Sequence, residues 1–271
     1  MSISQALTPH DVRIQCRTKT FTAPSTAGLC PGYSQANVII LPNKFAADFR
    51  LLCARNPVSC PLLGETKPGN PQVPKALATD SDVRSDCPSY NIYRDGVFVQ
   101  QKESIEKEWR DDSVAFFIGC SYSFEAALAK NGLTPRHVQL GRAVPMYKTK
   151  YRLCPAGVFG GHMVVSMRPY RLADLERVRN ITRPFVKTHG EPVAWGPEGA
   201  KSLGITDLDG TNPDFGDPTE IQDGEIAVYF GCGVTPQLSV MDSGISGEVV
   251  GHTPGRMLML DIKDEDVCVS F

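Results

Sequence analysis

No two of the nine cysteines stand in C-x-x-C spacing and no H-x-x-x-H occurs, so the common zinc-binding patterns are missing. The odd, scattered thiols also make a poor disulfide framework and fit a reducing, cytosolic compartment, where most would be buried and inert. No apolar run reaches the roughly 18 residues that a membrane-spanning helix requires. G-x-x-x-x-G-K-[ST] is absent, which removes the phosphate loop of nucleotide hydrolases. Charge of one sign is lacking too: 28 Lys and Arg face 30 Asp and Glu, leaving no basic field for nucleic acid or an anionic membrane. Met1 to Asp11 lacks the order of a secretory signal. Arg13 and Arg17 keep a mitochondrial matrix destination open, although Asp11 argues against a transit peptide.

What remains is a globular chain. Its 271 residues are 41% hydrophobic and 21% charged, enough apolar material for a packed core and long enough for two lobes. Asn37–Leu41 reads as a strand entering a helix whose Phe45, Phe49, Leu52 and Cys53 recur at helical spacing. Arg94-Asp95-Gly96 predicts a hairpin over 90–101, followed by a short charged helix over 103–110. Phe124–Lys130 predicts a helix closed by Asn131-Gly132. Strands are expected at 144–153, 162–167 and 189–195, with an amphipathic helix over 172–182 bearing Leu172, Leu175 and Val178 on one face. A last strand is expected at 256–262. The expected fold class is therefore α/β: a mixed-sheet main domain (1–142 and 197–271) with a smaller inserted α+β two-layer lobe (143–196).

Two segments share one pattern. Phe116-Phe-Ile-Gly-Cys-Ser-Tyr-Ser123 and Val228-Tyr-Phe-Gly-Cys-Gly-Val-Thr235 each run from an apolar strand into Gly-Cys and a hydroxyl residue. In open α/β sheets ligands bind beyond the carboxyl ends of strands, so Cys120 and Cys232 become candidates for proton transfer or nucleophilic attack on one ligand. Two small buried residues at tight turns are the plainer alternative. Gly231-Cys-Gly233 begins like a dinucleotide fingerprint, but Pro236 occupies the third glycine position, which rejects nucleotide binding. Gly231 to Gln237, with Gly233 inside it, reads equally as an anion cradle of backbone N–H groups or as a simple turn.

Around these thiols, Glu125 serves either as an acid or base or as a helix-dipole partner. Thr235 and Ser121 supply hydroxyls. His189 and His252 are the candidate functional histidines. Arg17, Arg84 and Arg168 are candidate carboxylate clamps, provided they cluster. The loop Asp207 to Asp217 carries four carboxylates but lacks the ligand order of an EF-hand, so solvated acids are expected there rather than a metal. The partner expected is a small carboxylate or amino acid, with no nucleic acid and no membrane. Homo-oligomerisation is left open.

Leu29-Cys-Pro-Gly-Tyr-Ser-Gln-Ala-Asn-Val-Ile-Ile-Leu-Pro42, Arg55-Asn-Pro57 with Cys60-Pro-Leu62, Tyr93-Arg-Asp-Gly96, Ile118-Gly-Cys-Ser121, Pro155-Ala-Gly157 with Val164-Val-Ser-Met-Arg-Pro169, and Cys232-Gly-Val-Thr-Pro-Gln237 together resemble the family named "putative hydro-lyase". That family is related to the mitochondrial D-glutamate cyclase. The likeness runs from about Arg17 to Asp261 in unbroken motif order, with Cys30 standing where the family pattern has Ala. It implies a two-part α/β structure, a lyase activity and, in the cyclase branch, conversion of D-glutamate to 5-oxo-D-proline with loss of water. The chain resembles a compact form without the extra C-terminal domain of the animal cyclase. No redox cofactor is implied. Two further readings stay open: a cofactor-independent amino-acid racemase or epimerase using two cysteines, and a noncatalytic carboxylate-binding protein.

Overall fold

The structure is a computed structural model and describes residues 7–269. Eleven strands form two sheets among these residues. They are β1 (Tyr33–Pro42), β2 (Leu62–Glu65), β3 (Tyr90–Arg94), β4 (Val97–Lys102), β5 (Ser113–Gly119), β6 (Met146–Arg152), β7 (His162–Arg171), β8 (Ala194–Trp195), β9 (Glu225–Gly231), β10 (Glu248–His252) and β11 (Leu258–Lys263). The larger sheet runs β2-β5-β1-β10-β3-β4, with β11 pairing the first half of β1. The smaller runs β6-β7-β9-β8. Seven helices accompany them: α1 (Pro9–Arg17), α2 (Ala46–Arg55), α3 (Glu125–Lys130), α4 (Arg136–Gln139), α5 (Leu175–Thr182), α6 (Gly196–Leu203) and α7 (Val234–Met241).

The α/β class holds, while the sense of the strands differs from the expected mixed sheet: every pairing between these strands is antiparallel. The reason is burial. Val38 and Ile40 face one core with Phe117, Val250 and Leu258, whereas Ile39 and Leu41 face another with Phe116, Phe49 and Leu52 of α2. A sheet covered on both faces gives continuous apolar runs whatever its strand direction, and such runs usually mark parallel strands. In the small sheet, Val228 and Phe230 pack on α3 and α5 while Ala227 and Tyr229 pack on α6. That sheet reaches beyond the 143–196 segment, because β9 pairs along its whole length with β7.

Other differences are local. The 103–110 run makes a single turn, with the Trp109 N–H donating to the Ile105 carbonyl, and no regular helix. Of 189–195 only β8 is strand, since His189 (φ 85°) and Gly190 (φ 70°) are left-handed. Leu172 is 63% exposed and leaves the apolar face to Leu175 and Val178. Helices α1, α4, α6 and α7 and strands β2 and β10 have no counterpart among the expected elements. The hairpin is as expected, turning through Asp95 (φ 51°) and Gly96 (φ 78°).

Candidate active site at the junction of the two sheets

Strands β5 and β9 lie in different sheets, yet their glycines meet the same intervening segment. A methyl group on Gly119 would overlap the Lys187 carbonyl. One on Gly231 would lie 2.7 Å from the Val58 carbonyl oxygen and 3.0 Å from His189 Nδ1. His189 Nδ1 donates to that Val58 carbonyl at 2.8 Å, while its Nε2 is buried without a hydrogen-bond partner among the described residues. Burial pushes His189 down to about 4, so it stands neutral at pH 7. The shared Gly-Cys pattern is thus the trace of two close backbone approaches.

The thiols beyond these glycines share a neighbourhood, since the Arg168 charge reaches both and Cys232 acts on Cys120. Burial raises Cys120 to about 12 and Cys232 to about 11. Both therefore stay protonated, contrary to the lowered pKa that a nucleophile requires. Cys232 Sγ packs 3.4 Å from Met146 Sδ. At mildly alkaline pH, iodoacetamide is expected to label exposed Cys154 first and to reach Cys120 and Cys232 only on unfolding. Fast carbamidomethylation of either in the folded protein, read by mass spectrometry, would restore a thiolate role.

Beside them lies a buried ion pair. Arg168, fully enclosed on β7, donates through Nε to Glu125 Oε1 at 3.0 Å and through Nη2 to the same oxygen at 2.5 Å. Its Nη1 reaches Ser166 Oγ at 3.0 Å and Nη2 reaches Ser121 Oγ at 3.1 Å. The guanidinium also packs over both the Phe124 and Phe230 rings, at 4.9 and 5.2 Å, while those rings contact each other at 4.9 Å. His137, on α4, places Nε2 3.1 Å from Glu125 Oε1 and stacks on Tyr122. Burial alone would raise Glu125, but Arg168 and His137 outweigh it and hold the carboxyl below its ordinary range. These contacts all fall on Oε1. Glu125 also lines a chamber of about 190 Å³ with Tyr33, Gln35, Tyr122 and Asp264.

The remaining candidates are occupied elsewhere. Thr235 Oγ1 donates to the Val164 carbonyl and accepts from its N–H, which clamps α7 to β7. His252 Nδ1 accepts from the Val38 N–H at 3.1 Å and sits 2.8 Å from Gln237 Nε2, and burial lowers it to about 4. Of the two readings of Gly231 to Gln237, the anion cradle finds its space filled: the Asn37 carboxamide lies beside Gly233 and donates to the Gly119 carbonyl at 3.1 Å. Arg17 and Arg84 line a larger, open groove of about 580 Å³. There they are already paired, Arg17 with Asp80 and Asp86 and Arg84 with Asp82, so they do not join Arg168. The 207–217 acids staple their own loop: Asp207 accepts from Tyr147 Oη and the Asn212 N–H, and Asp214 from the Lys148 N–H. Among the described residues no group of three His, Cys, Asp or Glu side chains is arranged to hold a metal ion. Sequence reasoning missed His137 and Asp264. The first sits in a one-turn helix and the second in an acidic trio that reads as surface.

The D-glutamate cyclase family matches residues 114–261, a span that includes Glu125, His137 and Arg168. A Schizosaccharomyces pombe protein named "Putative hydro-lyase" is 50% identical over 256 residues, 94% of this chain and 84% of that protein. A Burkholderia lata protein of the same name is 49% identical over 263 residues, 97% of this chain and the whole of that protein. The chain belongs to the D-glutamate cyclase family. It is thereby a member of a lyase family, and the match over 114–261 together with the two relatives carries that membership. A nitrogen repressor-like protein of Methanococcus jannaschii aligns over 92% of this chain and 97% of its own at 9% identity and a TM-score of 0.38, a likeness too distant to bear on fold or function.

Proposed function

We propose that this family member closes D-glutamate to 5-oxo-D-proline with release of water. The observation that carries the reading is Glu125, held ionised by Arg168 on the wall of a small chamber. Drug-sized ligands occupy clefts of about 300–1,000 Å³. A space of about 190 Å³ suits a smaller molecule of amino-acid size. A carboxylate kept charged is a poor proton acceptor near neutral pH but a good anchor for an ammonium group. Glu125 therefore orients the substrate amine, and Arg168, satisfied on three sides, orients Glu125. The racemase alternative draws no support from two protonated thiols.

Purified protein is expected to form 5-oxoproline from D-glutamate, detected by chromatography, with the L-isomer as comparison. Glu125→Gln should raise KM about 10–100-fold, the loss of a charged hydrogen bond worth ~1.5–3 kcal/mol, with circular dichroism reporting whether the variant folds. No product across neutral and alkaline pH, with and without divalent ions, removes the cyclase reading.

A further inference from the structure

The 190 Å³ chamber adjoins a wider recess of about 500 Å³, and one carboxylate stands in the wall of both. Asp264 begins the 3-10 turn Asp264–Val267 that follows β11. Its N–H donates to the Gly32 carbonyl at 2.9 Å, and its Oδ1 accepts from Ser34 Oγ at 2.9 Å. These bonds tie the carboxyl to Ser34 on β1 and the backbone to Gly32 just before it, in a chamber whose wall also includes Glu125 of α3. We propose that Asp264 is a catalytic residue of this chamber, the group that carries protons from the substrate amine to the oxygen that departs. The inference rests on the cyclase reading above.

The reaction needs such a carrier. An ammonium cannot attack, and a carboxylate is a poor electrophile. Asp264 takes one proton from the ammonium and passes it to a side-chain carboxylate oxygen. The neutral amine then attacks that carboxyl carbon, forming the C–N bond. Asp264 removes a second N–H proton and delivers it to the same oxygen as the C–O bond breaks. Both hydrogens of the released water come from nitrogen, and no oxidant or reductant enters.

Glu125 cannot fill this role because it is held ionised. Burial raises Asp264 to about 7, against the opposing Ser34 hydrogen bond, so both protonation states are populated near neutral pH. The ionisable groups around it are Glu125 and Tyr122 on the α3 side, Cys30 and Tyr33 on the loop, Cys268 below, and Lys130, Lys263 and Glu265 at the recess. The two lysines and Glu265 are exposed and act through water.

The test uses the full chain with D-glutamate. Wild-type kcat/KM is expected to rise through a limb near the Asp264 value, and Asp264→Asn should lower kcat about 100-fold or more while leaving KM within a few-fold and abolishing that limb. A wild-type profile flat through this range overturns the proposal even if the variant fails to fold. So does a folded Asp264→Asn enzyme with near wild-type kcat. In both cases 5-oxoproline still forms and the cyclase reading stands. A wild-type protein that makes no 5-oxoproline fails that reading instead, and the proposal with it.

Discussion

Arg168→Met is expected to destabilise the protein by ~3–5 kcal/mol and to abolish turnover, because it strands the Glu125 carboxylate in a buried site without its cation. Three donor nitrogens on Ser121, Ser166 and Glu125 disappear with the guanidinium. So do its cation–π contacts with Phe124 and Phe230. Stability measured by urea unfolding and activity measured on the same preparation separate two effects. Glu125→Gln combined with Arg168→Met removes the stranded charge, so the double variant should regain part of the lost stability and none of the activity. If the single variant unfolds like wild type, the pair is not the electrostatic centre that its burial implies.

Acid should unfold the chain well above the pH at which its carboxylates titrate. His189 and His252 are buried and neutral, both lowered to about 4, whereas an unfolded chain takes up their protons near 6.5. Their folded pKa values are depressed, so the stability they contribute is present above about 6.5 and is lost as pH falls toward 4. At 1.36 kcal/mol per unit the two together account for roughly 6–7 kcal/mol, comparable to the whole stability of many domains. Asp264 works in the other direction. Its raised folded value means that stability grows as pH falls through about 7, which partly offsets the histidines. Unfolding free energies measured against pH should therefore fall steeply below pH 6.5, and His252→Gln should flatten that slope. An unchanged slope would mean that His252 is already charged in the folded state.

The repeated Gly-Cys pattern was legible because close packing leaves a strong mark on sequence. Gly119 is required by the Lys187 carbonyl and Gly231 by the Val58 carbonyl and His189, and the thiols merely follow them. Chemistry was therefore read from the sulfur when the geometric constraint belonged to its neighbour. Glu125, Ser121 and Arg168 were each recognisable by type, and the structure joins them. Arg17 and Arg84 were equally recognisable by type, but their charges are spent on Asp80, Asp86 and Asp82. All three guanidinium groups are paired, and residue type alone does not show that only the Arg168 pair stands beside the chamber. Asp264 escaped notice because its partners, Ser34 and Gly32, lie some two hundred and thirty positions away. Strand direction escaped for a different reason, since burial on both faces erases the alternation that usually marks antiparallel sheets.

The pairing of β11 with the opening half of β1 has a consequence for the order of synthesis. Tyr33–Ala36 leaves the ribosome long before Leu258–Lys263 emerges. Until then one side of a central, strongly apolar strand has no neighbour, a condition that invites association between nascent chains. The same later segment brings Asp264, so the chamber lacks that wall until the strand has emerged.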